Sequence, residues 1–181
     1  MGKIHVRLLK EIPGYDIAGF YDPDDTNAHK AEKEFEIQRF DTAKKLLDAC
    51  DVIDIVSPTT THFQIAKDAI KKGKHIFIEK PLAHTIEEGQ EIVREAKKAG
   101  KVVQVGTQNR SNSLYKKAKE MVAQGMIGEV HYVRAFWYRN SLDDNPAWRY
   151  AIPPDATEKN TDWKRFLGTA KNRPFDKQRY Y

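Results

Sequence analysis

The chain has 181 residues, 40% hydrophobic and 31% charged, with 31 Lys and Arg against 26 Asp and Glu for a formal net charge of +5. That length suits one domain, or one domain and part of another, and the apolar content excludes a disordered chain. No apolar run approaches the ~20 residues of a membrane-spanning helix, and the single Cys50 excludes a disulfide framework or a cysteine zinc site. Lys3, His5, Arg7, Lys10 and Glu11 interrupt any secretory apolar segment after Met1, so a cytoplasmic setting is the expectation. The charge is uneven: −2 over residues 1–100, +4 over 101–138 and +3 over 139–181. No nucleic-acid module accompanies the basic part, which reads as a solvated face rather than a nucleic-acid surface.

In chain order, Gly2–Ile12 reads as a helix and Asp16–Tyr21 as a strand. Thr26–Phe35 is helical, with Asp25 or Thr26 as cap, and Ile37–Phe40 is a short strand candidate. Asp41 or Thr42 caps a helix to Ala49 with Leu46 and Leu47 on its buried side. Val52–Val56 is a β-branched run of the kind buried in parallel sheets. Thr60–Lys72 is helical, with Gly73 placed for the C′ position. His75–Ile78 is a strand. Thr85 and Glu88 have capping-box spacing for a helix ending near Gly100. Val102–Val105 is a strand, Ser113–Gln124 a helix stopped by Gly125, and Glu129–Tyr138 alternates like a longer strand. Strand and helix alternating at this spacing predict βα units and a mostly parallel sheet. Residues 140–181 hold Pro146, Pro153, Pro154 and Pro174 and one short helix candidate, Asp162–Leu167. They read as the start of a second unit or as a surface arm.

Three places carry chemistry. The first pairs Gly2, at a helix start, with Asp22-Pro23 twenty positions later at a strand end. In a dinucleotide-binding βαβ unit the glycine turn precedes the first helix, and an acid at the second strand's end takes the ribose hydroxyls. A plain Asp-Pro turn explains the same residues equally well. The second is Ser57-Pro58-Thr59-Thr60-Thr61-His62, where a strand ends and a helix begins. Exposed amides there suit an anionic or polar ligand; simple capping by Thr59 or Thr60 is the alternative, and His62 alone reads as a surface histidine. The third is Glu79-Lys80-Pro81, delivered by an apolar strand to its carboxyl end. A lysine so placed holds a substrate hydroxyl or donates a proton, with its ammonium tuned by desolvation. An inert surface ion pair is the alternative.

Asp22-Pro23, Ser57-Pro58 with His62, and Glu79-Lys80-Pro81 together resemble the glucose–fructose oxidoreductase / inositol dehydrogenase (Gfo/Idh/MocA) family. Further agreement comes from Gln104-Val105-Gly106-Thr107-Gln108-Asn109-Arg110, from Gly128-Glu129-Val130, and from Phe136-Trp137-Tyr138-Arg139-Asn140 through Trp148-Arg149-Tyr150 to Trp163 and Phe166-Leu167-Gly168. The resemblance implies a doubly wound Rossmann domain over about residues 1–110. The start of an α+β substrate and oligomerisation domain follows over 111–181. It implies NAD, with NADP possible, and a sugar, cyclitol or other polyol as substrate. No metal, nucleic acid or membrane is implied, and the full-length protein would be a homo-oligomer. It assigns Asp22 to the ribose, Ser57, Pro58, Thr59 and His62 to the dinucleotide wall, and Lys80 to the catalytic position. Glu79 and Pro81 shape that turn, and Gln108 and Asn109 lie near the nicotinamide.

Two family features are expected to be missing. The first strand and first two glycines of the Gly-rich turn precede what Met1-Gly2 resembles, and the later catalytic Asp and His follow what Tyr181 ends. The expectation is therefore a fragment of an oxidoreductase, inactive alone, with a shortened non-catalytic paralogue that binds or dimerises as the alternative. Trp137, Tyr138, Arg139, Trp148 and Arg149 read slightly better as packing than as a sugar-lining cluster.

Overall fold

The structure is a computed structural model and describes residues 2–136, 138 and 151–181. Three short strands, β1 (Val52–Ile55), β2 (His75–Ile78) and β3 (Val103–Val105), form a parallel sheet in the order β1-β2-β3. Alternation along the strands divides the residues between two faces. Ile53, Ile55, Ile76 and Ile78 are buried on one face, in one core with Leu47, Ala66, Ala69, Ile70, Ile92 and Ala96. Those last residues come from α3 (Ala43–Ala49), α4 (Thr59–Lys71) and α5 (Ile86–Ala99). Asp54 and Phe77 are a register pair pointing to the other face, where His5 of α1 (Gly2–Glu11) meets both. Helices therefore cover both faces, as a parallel sheet requires.

Local signals explain most boundaries. Thr85 and Glu88 form the expected capping box at α5, which ends on Gly100 at φ 64°. Thr42 caps α3 through the Lys45 amide, and Leu47 is buried. Gly73, at φ 69°, follows α4 as its residue type predicts. α2 (Asp25–Phe35) is capped one residue earlier than expected, by Asp24, whose side chain accepts from the Asn27 amide at 2.9 Å. α1 is held to α2 by Lys3 and Arg7 on the Glu34 carboxylate, and by Lys10, which donates to the Phe35 carbonyl at 2.6 Å.

Two strand expectations need correction. Asp16–Tyr21 and Ile37–Phe40 are not strands; they meet in one parallel bridge, Phe20 with Arg39. The Phe20 amide donates to Gln38 O at 2.9 Å and the Phe40 amide to Phe20 O at 2.8 Å. At Gly19 the chains approach so closely that a Cβ would lie 2.3 Å from Gln38 O, and no longer ladder forms. In Glu129–Tyr138 the described residues form no strand either. Val130, Tyr132, Val133, Phe136 and Tyr138 are all exposed, so the alternating pattern has no sheet to bury it.

The chain divides into two units, Met1–Gly128 and Glu129–Tyr181. The first also holds α6 (Ser113–Ala123), capped by Asn112 and ended before Gly125. In the second, Asp162 caps α7 (Trp163–Leu167), the short helix expected there, and α8 (Lys177–Tyr180) was not foreseen. Trp163 is buried, donates from Nε1 to Arg173 O at 2.9 Å, and stacks on Phe166 at 5.2 Å. Of the aromatic and basic cluster, Trp137, Arg139, Trp148 and Arg149 lie outside the described residues. No helix among the described residues is long and apolar enough to cross a membrane.

Candidate active site

The three strands end level, because Ile55, Ile78 and Val105 share one register line. The pairing runs on past them: the Glu79 amide donates to Ile55 O at 3.0 Å and the Gly106 amide to Ile78 O at 2.8 Å. The turns Ser57-Pro58, Glu79-Lys80-Pro81 and Thr107-Gln108-Asn109 therefore sit side by side at the carboxyl ends of a parallel sheet. That edge is where ligands of open α/β sheets bind. Gly2 is close to it as well, since a Cβ there would be 3.4 Å from Val56 Cγ2.

The first turn leads into α4. Pro58 occupies the cap position and no side chain caps the helix, contrary to capping by Thr59 or Thr60. Thr61 instead turns its hydroxyl toward Ser57 Oγ and Pro58 O, both at 2.7 Å. The amides of the first turn of α4 are left without a side-chain acceptor.

His62 corrects the sequence reading most directly. It is not a surface histidine but 1% exposed. Its Nδ1 lies 2.9 Å from Pro81 O and its Nε2 2.9 Å from Ser57 O. A carbonyl only accepts and a neutral imidazole carries one N–H, so the ring donates to one of the two carbonyls and rests against the other. Its position in the first turn of α4 points it under the turns after β1 and β2, and it ties them together.

Glu79 and Lys80 do not form the surface ion pair considered for them. The Glu79 carboxylate turns inward, with Oε1 3.3 Å from His5 Nε2 and Oε2 accepting the Lys80 amide at 3.2 Å. The Lys80–Pro81 peptide is cis. Lys80 itself is exposed, and none of the ion pairs among the described residues engages its ammonium. Its neighbours on both sides are held by histidines while its side chain stays available.

Thr107 precedes a 3-10 turn, Gln108–Ser111, so Gln108 and Asn109 are exposed on a short helical turn. Asp22 and Pro23 lie in a different turn. There Asp22 Oδ1 accepts the Asp24 amide at 2.9 Å, an Asx turn, and Arg39 reaches Asp22 O at 3.5 Å.

Two residues escaped the sequence reading, His5 and Asp54, and Gly106 was read only as part of a motif. Asp54 interrupts the apolar run of β1, and a carboxylate there needs a partner; that was the legible signal. Burial pushes its pKa up, the hydrogen bond from His5 opposes this, and the Glu79 charge adds to it. Gly106 leaves room for the Glu79 carboxylate, since a Cβ there would be 2.9 Å from Oε1.

A parallel sheet with helices on both faces, and with its exposed turns collected at the strand carboxyl ends, defines a Rossmann-type nucleotide-binding domain. A sequence model described as the oxidoreductase family with an NAD-binding Rossmann fold (Gfo/Idh/MocA) matches residues 1–107, and the chain belongs to that family. The scyllo-inositol 2-dehydrogenase (NAD(+)) of Bacillus subtilis is 32% identical over 140 residues, which is 75% of this chain and 41% of that protein. The crystal structure of apo scyllo-inositol dehydrogenase from Lactobacillus casei superposes with a TM-score of 0.65 at 28% identity, covering 71% of this chain and 39% of that one. GenD2 from gentamicin A biosynthesis, solved in complex with NAD, shares the fold with a TM-score of 0.64 at 23% identity, over 70% of this chain and 37% of that one. The chain spans about two fifths of the length of each of these proteins.

Proposed function

We propose that the chain supplies the NAD-binding half of an oxidoreductase acting on a sugar, cyclitol or related polyol, with residues 1–110 as the cofactor domain and 111–181 as the beginning of the substrate and oligomerisation domain. The observation that carries this is the level carboxyl edge of the sheet, where Lys80 is exposed between two neighbours pinned by histidines. The residues present fit a dinucleotide. Gly2 lies beside Val56, the first turn of α4 has no side-chain cap, and the Ser57 hydroxyl and Pro58 line the chain beside it. Asp22 suits the ribose hydroxyls, and its carboxylate disfavours a 2′-phosphate, which favours NAD over NADP. When bound, the nicotinamide supplies or accepts the hydride.

This chain's own residues do the rest. Lys80 Nζ donates a hydrogen bond to the reacting hydroxyl oxygen and exchanges a proton with it as the carbonyl forms or is reduced. Glu79 and Pro81 hold the Lys80 backbone, and His62 keeps the Pro81 and Ser57 turns at a fixed separation. Gln108 and Asn109 offer amides to the nicotinamide end. Relatives named as scyllo-inositol and myo-inositol dehydrogenases support a cyclitol or sugar as the substrate.

Fluorescence titration of the protein with NADH and NADPH tests the first half: saturable binding of NADH is expected, weaker for NADPH. Lys80→Ala tests the second. In the complete enzyme it should leave NADH affinity within about threefold and lower turnover of scyllo- or myo-inositol by about a hundredfold or more, the usual worth of a positioned acid or base. Unchanged turnover would remove Lys80 from the mechanism.

A further inference from the structure

His5 lies on the face of α1 turned toward the sheet, between two carboxylates. Its Nδ1 is 2.8 Å from Asp54 Oδ2 on β1, and its Nε2 is 3.3 Å from Glu79 Oε1 just beyond β2. The three side chains are only 14, 23 and 18% exposed. Phe77 meets the imidazole edge-on with ring centroids 6.0 Å apart. Two half-buried carboxylates on adjacent strands repel each other, so the imidazole between them is what keeps both turned inward. The group is not a metal site: among the described residues no set of three or more His, Cys, Asp or Glu is arranged to hold a cation.

The packing around Glu79 points the same way. Its Oε1 rests against Gly106, where any side chain would collide at 2.9 Å. Its Oε2 accepts the Lys80 amide. One carboxylate thus links the α1 imidazole to the backbone of Lys80. From the α1 side His5 meets this turn at Glu79, and His62 holds Pro81 through its carbonyl.

We infer that His5 is a positioning residue: anchored by Asp54, it fixes Glu79 and, through Glu79, the turn that carries Lys80. The value of that turn to catalysis rests on the function proposed above; the mechanical link does not, and the two are tested separately.

Backbone hydrogen exchange on the ¹⁵N-labelled full chain reads the link. His5→Phe keeps a ring but removes the Nδ1 contact to Asp54 and the Nε2 contact to Glu79, and should accelerate exchange of the Lys80 amide tenfold or more while α4 and α5 amides keep their protection. His5→Gln retains one donor toward a carboxylate and should recover most of the wild-type rate. In a Glu79→Leu background, His5→Phe should change the Lys80 amide no further. Lys80 exchange within twofold of wild type in His5→Phe, or an equal acceleration with and without Glu79, overturns the proposal. If His5→Phe loses the fold, the wild-type protein decides alone. Nuclear Overhauser contacts between the His5 ring protons and the Glu79 side chain are expected there, and a Glu79 side chain without them overturns the proposal. NADH titration of the same variants is the separate arm. A wild-type chain that binds no NADH refutes the proposed function, and the exchange result still decides the role of His5.

Discussion

Replacing His62 with phenylalanine should destabilise the protein by about 2 kcal/mol. The ring is 1% exposed, so phenylalanine fills a similar volume and little of the cost comes from a cavity. What is lost is the ring N–H. Ser57 O and Pro81 O are each 2.9 Å from a ring nitrogen, and the one that accepts is left facing an apolar ring, at about 1–3 kcal/mol for a stranded acceptor. For a protein of this size about 2 kcal/mol corresponds to a fall in melting temperature of roughly 4–8 °C. Urea unfolding followed by far-ultraviolet circular dichroism measures it, with NADH titration alongside, because the two turns should also lose their fixed separation. His62→Gln, which keeps one donor, should fall between. A loss under about 1 kcal/mol in His62→Phe would show that the two carbonyls find water on their own and that the histidine braces nothing.

Other outcomes follow from neighbouring contacts. Gly106→Ala should push Glu79 off the end of β3, since its Cβ would stand 2.9 Å from Oε1; weaker NADH binding with an unchanged circular dichroism spectrum is expected, and unaltered affinity would show that Glu79 shifts without consequence. Thr85→Ala removes the side-chain half of the α5 capping box and should cost about 1 kcal/mol in urea unfolding. Asp54 has a raised folded pKa, so the native state binds its proton more tightly than the unfolded chain. Stability from this group is full at acid pH and declines as pH rises from about 4 through the folded value. Asp54→Asn should therefore gain on wild type across that window, and a difference, variant minus wild type, that stays constant or falls with rising pH would refute the desolvation account.

Legibility in the sequence followed the range of the interaction involved. Thr85 with Glu88, Thr42, Gly73 and Gly100 act within a few residues, and the structure has them as expected. β1 and β2 were legible because a strand buried on one face and partly covered on the other is apolar along most of its length, and β3 from its valines. Asp16–Tyr21, Ile37–Phe40 and Glu129–Tyr138 carry the same local signal, yet a strand exists only where a ladder partner lies beside it. His62 was misread for a related reason. The first turn of a helix is ordinarily wet, and only the return of the Pro81 turn over α4 buries this one. The link from His5 to Glu79 spans 74 positions, and only the out-of-place charge of Asp54 hinted that something would meet it. The turns after the strands were identifiable as a set; which side chains stay exposed and which brace the turns was decided by contacts between elements.

The level ending of β1, β2 and β3 bears on how this domain tolerates changes in length. With four, four and three residues, one added residue within β2 would exchange the buried Ile76 and Ile78 for Phe77 on the core side. It would also carry the Lys80 turn about 3.3 Å away from its neighbours. An insertion at Gly73-Lys74, before the strand begins, leaves both untouched. Drift in loop length should accordingly collect at the amino edge of the sheet, while the carboxyl edge keeps its spacing across homologues that otherwise share about a third of their residues.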